Sequence, residues 1–192
     1  MKKHFSILAI ALMAAVVAFI SCKKEPKPDP TPVIPEPVYE KTIVDVSFSI
    51  SDDLRLFMNT GLTVNDFEGN EQVITLSDST VCQFETKDKN ASLTTIFTID
   101  SKPDSTWPVI DSNRLYTFSV DGLGSIAALD DEGKIISDQR MELIGIIGSR
   151  FGIKVQGSEL TRQHIVDIQR TFRRFGTTRT FTVTNGKKVT IE

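Results

Sequence analysis

The stretch "TIVDVSFSIS" (42–51) puts Val44, Val46, Phe48 and Ile50 at every second position, with Asp45, Ser47 and Ser49 between them. In an extended chain successive side chains point to opposite faces, so a period of two predicts a strand with one buried and one wet face. A strand wet on one side belongs most naturally in an antiparallel sheet packed on a second layer.

The same rhythm recurs downstream. "GLTVNDFEGNEQVITL" (61–76) predicts two short strands around a turn at Glu68, Gly69 and Asn70. In "TVCQFETK" (80–87), Cys82 and Phe84 alternate with polar neighbours, and after a turn at Asp88, Lys89 and Asn90 the alternation resumes in Leu93, Thr95, Phe97 and Ile99, which predicts a hairpin. "RLYTFSV" (114–120) supplies another strand, and "SIAALDDEGKIIS" (125–137) a hairpin turning at Asp131, Glu132 and Gly133. The chain closes on "TTRTFTVTNGKKVTIE" (177–192), where Asn185-Gly186 is a strong hairpin signal. A two-residue turn there would mix polar and apolar residues on each face. A three-residue loop over 184–186 instead sets Phe181 against Val189 and Val183 against Lys187, and that is the expected register.

One stretch departs from period two. Across "SELTRQHIVDIQRTFRRFG" (158–176), Ile165, Ile168, Phe172 and Phe175 recur at helical spacing, with Ser158 as the expected cap and Gly176 as the stop. The rest reads as strand. The expected fold is therefore mostly β (α+β): an antiparallel, sandwich-like β domain over 41–192 with one C-terminal amphipathic helix followed by a terminal β-hairpin.

Ahead of this domain the composition changes. Met1-Lys2-Lys3-His4 precedes sixteen uncharged, mostly apolar residues (5–20), the layout of a secretory signal and slightly short of the ~20 residues that span a bilayer. The run ends in Ser21-Cys22, and Phe19-Ile20-Ser21-Cys22 resembles the lipobox of bacterial lipoproteins. That resemblance implies cleavage of residues 1–21 and acylation of Cys22. Several acyl chains on one residue anchor firmly, because each buried CH₂ adds ~0.8 kcal/mol. Six of the eight prolines then fall at 26, 28, 30, 32, 35 and 37. Such a run stays extended as polyproline II, so residues 22–40 read as a semi-rigid tether. Signal, tether and a following β domain are together similar to the layout of the small envelope lipoproteins abundant in the Bacteroidota, a resemblance that covers residues 1 to about 40. The resemblance implies a lipid-anchored place in the cell envelope, in the outer membrane, with periplasmic and surface-facing orientations both open.

The 192 residues include 22 Lys or Arg and 25 Asp or Glu, which gives no general case for nucleic-acid binding. The charge is uneven: residues 159–192 hold seven Lys or Arg against three Asp or Glu, a basic face on an acidic body. On the helix, Arg162, Arg170, Arg173 and Arg174 lie opposite the apolar stripe; as a binding face they would meet anionic headgroups or acidic glycan, and otherwise they are solvated. Trp107, the sole tryptophan, sits in the long loop "SKPDSTWPVIDSN" (101–113), placed either to stack on a sugar or peptide or to fold back over the core. Asp104-Ser105-Thr106 and Asp78-Ser79-Thr80 resemble the acceptor pattern of O-glycosylation in exported Bacteroidota proteins, which makes Ser105 and Ser79 candidate sites.

Signals for catalysis and cofactors are weak. His164 is the one histidine after the signal, and no Gly-x-Ser-x-Gly accompanies it. Cys82 fits as a buried thiol on the apolar side of its strand. Gly122-x-Gly124-x-x-Ala127 follows a strand but precedes no helix whose N-terminus could hold a pyrophosphate. Asp66, Glu68 and Asn70, and likewise Asp130, Asp131 and Glu132, are residues that turns favour and that calcium could also use. The expectation is a non-catalytic binding module for glycan or protein, with no metal and no cofactor. A structural role in envelope assembly through the basic C-terminal face, or a hydrolase using His164 or a carboxylate, are the alternatives.

Overall fold

In a computed structural model, which describes residues 36–144, 151–174 and 178–192, the alternating stretch becomes β1 (Tyr39–Ile50), with Val44, Val46, Phe48 and Ile50 all buried. Cys22, the signal segment, the tether as far as residue 35, and the expected helix-end residues Phe175 and Gly176 lie outside the described residues. The strands that follow are β2 (Met58–Asn65), β3 (Glu71–Thr75), β4 (Thr80–Thr86), β5 (Ala91–Ser101), β6 (Leu115–Asp130), β7 (Ile135–Ile144), β8 (Phe151–Gln156), β9 (Thr178–Thr184) and β10 (Lys188–Ile191). One sheet runs β4-β1-β6-β7, with β8 pairing the first half of β6; the other runs β10-β9-β5-β2-β3. Every pairing among the described residues is antiparallel.

The two sheets bury their inner faces against each other, as in a sandwich. Phe48 of the first sheet stacks on Phe97 of the second at 5.6 Å between ring centres. Along one side the sheets are stitched by side chains rather than by a ladder: the Val189 N–H donates to Ser137 Oγ (3.4 Å) and the Ile191 N–H to Gln139 Oε1 (2.9 Å). This blunts two edge strands that would otherwise offer free backbone.

Among the described residues two α-helices accompany the sheets: α1 (Asp52–Phe57) and α2 (Arg162–Arg173). In α2, Ile165, Ile168 and Phe172 are buried, as their spacing predicts. The cap is Thr161 rather than Ser158: its hydroxyl accepts from the His164 N–H, and the His164 ring reaches back to the Thr161 N–H. α1 is absent from the sequence reading. Its signal is the short run Ser51-Asp52-Asp53, a cap followed by an acidic first turn.

Three strand expectations change. The segments 80–87 and 91–99 do not form a hairpin, because β4 pairs with β1 while β5 pairs with β2 and β9 in the opposite sheet. The segments 114–120 and 125–129 belong to one sixteen-residue strand, β6. The terminal hairpin does have a three-residue loop, but over 185–187, so that Phe181 faces Ile191 and Val183 faces Val189. That register puts four apolar residues on the core face, and Asn185 (φ 53°) and Gly186 (φ 63°) both take the left-handed conformation that it needs.

The chain enters β1 beside the turns at 131–134 and 185–187. The Asp131 N–H donates to the Val38 carbonyl (3.1 Å), and Gly186 packs so closely on Tyr39 that a Cβ there would lie 2.5 Å from the ring. β1 then carries the backbone roughly 35–40 Å, at ~3.3 Å per residue, to the opposite end of the sandwich. α1, the connection 102–114 and the start of α2 are gathered there.

Candidate functional site

That far end is built around the place where β1 stops. β1 ends at Ile50, opposite Val120, so the earlier residues of β6 lose it as a neighbour. The chain turns into α1, and its side chains take over the pairing. Ser51 Oγ accepts from the Ser119 N–H (2.9 Å), and Asp53 Oδ2 accepts from the Thr117 N–H (2.7 Å). Asp53, 8% exposed, also pairs through Oδ1 with the Arg114 guanidinium, which lies 4.7 Å above the Tyr116 ring. A buried carboxylate needs such partners, and here it has a backbone donor and a cation.

Over this knot lies the connection 102–114. Phe57, fully buried at the end of α1, meets Trp107 edge-on at 5.4 Å and Tyr116 edge-on at 5.8 Å. The Trp107 indole N–H donates to the Lys102 carbonyl (3.1 Å), and the Lys102 ammonium donates to the Arg55 carbonyl (2.6 Å) at the end of α1. The Asp111 N–H donates to the Tyr116 hydroxyl (3.0 Å). Next to it, Gly157 leaves no room for a side chain, since a Cβ would fall 1.9 Å from the Asp111 carbonyl oxygen. The loop is thus pinned at Lys102, Trp107 and Asp111 to the ends of strands and helices, the arrangement of a surface held in one shape.

The residues singled out in the sequence divide between this end and elsewhere. Trp107 is half-buried and folds back on Phe57. Arg162 pairs with Asp104 (3.4 Å), which brings the first turn of α2 to the tryptophan loop. Ser105 is exposed on a short 3₁₀ turn (Asp104–Thr106), and Ser79 is exposed between β3 and β4. Arg170 pairs with Asp167 (3.2 Å), and Arg173 pairs with Asp100 and donates to the Ile99 carbonyl (3.2 Å). Arg174 closes the helix, exposed. Three of the four arginines, Arg162, Arg170 and Arg173, therefore pair with aspartates, which offsets much of the basic face of α2 locally.

The other candidates have local structural work. The His164 ring closes the cap of α2. Gly122 and Gly124 lie inside β6, where a Cβ would come within 2.6 Å of Phe48 and 2.8 Å of Leu143 and Phe181; they are glycines so that the sheets can close. Asp66 Oδ1 accepts from the N–H groups of Glu68 (3.0 Å) and Asn70 (2.8 Å). The Asn70 backbone bond is the largest influence holding its carboxyl below the usual aspartate range. Asp130 closes its own turn in the same way, on Glu132 and Lys134. No group of three or more His, Cys, Asp or Glu able to hold a metal occurs among the described residues. Cys82 points inward, but its strand is at the edge of the sheet, so the thiol is half-buried rather than buried; desolvation pushes its pKa up.

Arg55, Lys102, Asp53 and Arg114 were not singled out in the sequence. They belong to the unpredicted α1 and to the two ends of the loop, and beyond the cap and acidic first turn that mark α1, nothing in their local spacing singles them out. What the assembled end offers is a pinned aromatic beside the cations Arg55, Lys102 and Arg114. Neither a protein-family model, a curated protein nor a solved structure matches the chain.

Proposed function

We propose that this chain is a lipid-anchored lipoprotein of a bacterial cell envelope whose β domain is a non-catalytic binding module for a glycan or protein. Residues 1–40 carry the first half of that reading through the signal-like run, Cys22 and the proline-rich tether. The observation that carries the second half is polarity within the domain. The chain enters at Tyr39, and the pinned loop with Trp107 and its neighbouring cations lies at the other end of β1. A domain tethered at one end and furnished with a rigid loop at the other is suited to reaching a ligand away from its anchor.

The experiment has two parts. Cells grown with a clickable palmitate analogue should label the wild-type protein in the membrane fraction, whereas Cys22→Ser should be unlabelled and soluble. The full-length chain should then bind a component of an envelope glycan or protein panel, and changes around Trp107 should weaken that binding more than changes near Tyr39. A turnover abolished by a single side-chain change would overturn the non-catalytic reading. A docking role for the basic face of α2 has less behind it, because Asp100, Asp104 and Asp167 offset three of its four arginines. Charge reversal at Arg170, Arg173 and Arg174 separates the two readings: loss of membrane or complex association favours docking.

A further inference from the structure

Beside the tryptophan loop, a depression of about 200 Å³ lies between the end of α1, the start of β2 and the end of β3. The geometry points to this depression as a subsite for the anionic group of an acidic sugar, a carboxylate or a sulfate ester, held by Arg55 and Lys102. The assignment rests on the binding-module reading above and names the ligand class for its far end.

Two cationic residues, Arg55 and Lys102, line the depression and are incompletely used by the protein. The Lys102 ammonium makes one hydrogen bond, to the Arg55 carbonyl, and faces no carboxylate within ion-pair distance among the described residues. An ammonium carries three donors, so two remain for a ligand. The Arg55 guanidinium is held through one Nη by Asp52, itself exposed, and its Nε is buried without an acceptor among the described residues. Exposed Asn59 and Thr75 add an amide and a hydroxyl at the rim, and beneath them buried Thr60 and Leu76 form the floor, Leu76 giving it an apolar element. Planar forked guanidinium beside a point-charge ammonium is the pairing that holds a carboxylate or sulfate. The neutral donors and acceptors around it match sugar hydroxyls, and the apolar floor matches the C–H face of a pyranose ring. Trp107 reports on the place, because its indole N–H holds the carbonyl of Lys102.

Calorimetric titration of the full-length chain in detergent micelles tests this at constant ionic strength, with glucuronate, glucose 6-sulfate, glucose and inorganic sulfate as probes and emission of the sole tryptophan followed in parallel. For a ligand of this size a dissociation constant on the order of 1 mM is expected for one or both acidic sugars. Glucose and inorganic sulfate should bind at least about tenfold more weakly, as should the acidic sugar to Lys102→Gln or Arg55→Gln. Lys102→Arg, which keeps the charge, should retain most of the affinity. Unchanged melting temperatures for the Gln variants would separate lost binding from lost folding. Glucose binding as tightly as glucuronate would overturn the acidic subsite while leaving the binding-module reading intact. Equal binding of inorganic sulfate would overturn the sugar assignment, and affinity unmoved by both Gln variants, or no acidic sugar binding, would overturn the site. Failure of the broader reading looks different: no glycan or protein of the wide panel binds at all.

Discussion

Asp53 is the residue on which the far end depends, and nothing in the sequence separates it from Asp52 beside it. It is buried, and its two oxygens serve a cation and a strand N–H that β1 no longer reaches. Asp53→Ala would leave the Thr117 N–H without its acceptor and Arg114 without its anion, a loss of about 1.5–3 kcal/mol for a hydrogen bond to a charged group. Denaturant unfolding should show that drop, while Asp52→Ala, changing an exposed neighbour, should stay within about 0.5 kcal/mol. Asp66 gives a pH test of opposite visibility, since its turn was legible from the residues that turns favour around Glu68, Gly69 and Asn70. Its folded carboxyl titrates below the ordinary aspartate value because Asn70 and Glu68 donate to it. A depressed folded pKa contributes stability above the unfolded pKa of about 3.9 and loses it as pH falls through the folded value. NMR titration should find the Asp66 carboxyl ionised at pH values where an unperturbed aspartate is half protonated. The pH dependence of the turn amides below about pH 4 should vanish in Asp66→Asn.

At the scale of elements, periodicity was a good guide to type and a poor guide to partner. The alternation in 42–51 and the apolar spacing of Ile165, Ile168 and Phe172 became β1 and α2 because burial follows from the side-chain period alone. β4 and β5 show the limit. Each alternates, and four residues separate them, which is hairpin geometry, yet they pair into different sheets. Alternation says which face is buried; it does not say which neighbour lies alongside. In the terminal hairpin the loop length was legible from Asn185-Gly186 but its position was not, because only packing both Val183 against Val189 and Phe181 against Ile191 fixes the register. The site was less legible still, since α1 is a six-residue helix, too short for a periodic signal, and the ammonium that meets its Arg55 carbonyl comes from Lys102, far along the chain. The cap of α2 gives a direct test. Thr161→Ala should cost about 1 kcal/mol by losing the acceptor for the His164 N–H, whereas Ser158→Ala, outside the cap, should be close to neutral in the same unfolding assay.

The molecule as a whole is held by pairings between strands far apart in sequence: β9, from the C-terminal segment, lies between β10 and β5 in one sheet, while β1 lies between β4 and β6 in the other. Such non-local pairings cannot form until much of the chain is present, so folding should be slow for the domain's size, in the millisecond-to-second range. They also make the last fifteen residues indispensable. β9 and β10 bury Phe181, Val183, Val189 and Ile191, none more than 5% exposed. At about 1.5–3 kcal/mol for each fully buried side chain, the four together represent roughly 6–12 kcal/mol, against a whole-domain stability of about 5–15 kcal/mol. Their loss would also uncover the inner edge of β5 at Leu93 and the side-chain acceptors Ser137 and Gln139 that hold β10. A chain truncated after residue 177 should therefore be unfolded at 25 °C, with collapsed amide dispersion and no cooperative melt. The counterpart lacking residues 1–35 should melt as the full chain does, because every buried side chain named here lies after Glu36. Native-like dispersion in the C-terminal truncation would mean that the first eight strands form a core of their own and that β9 and β10 merely cover it.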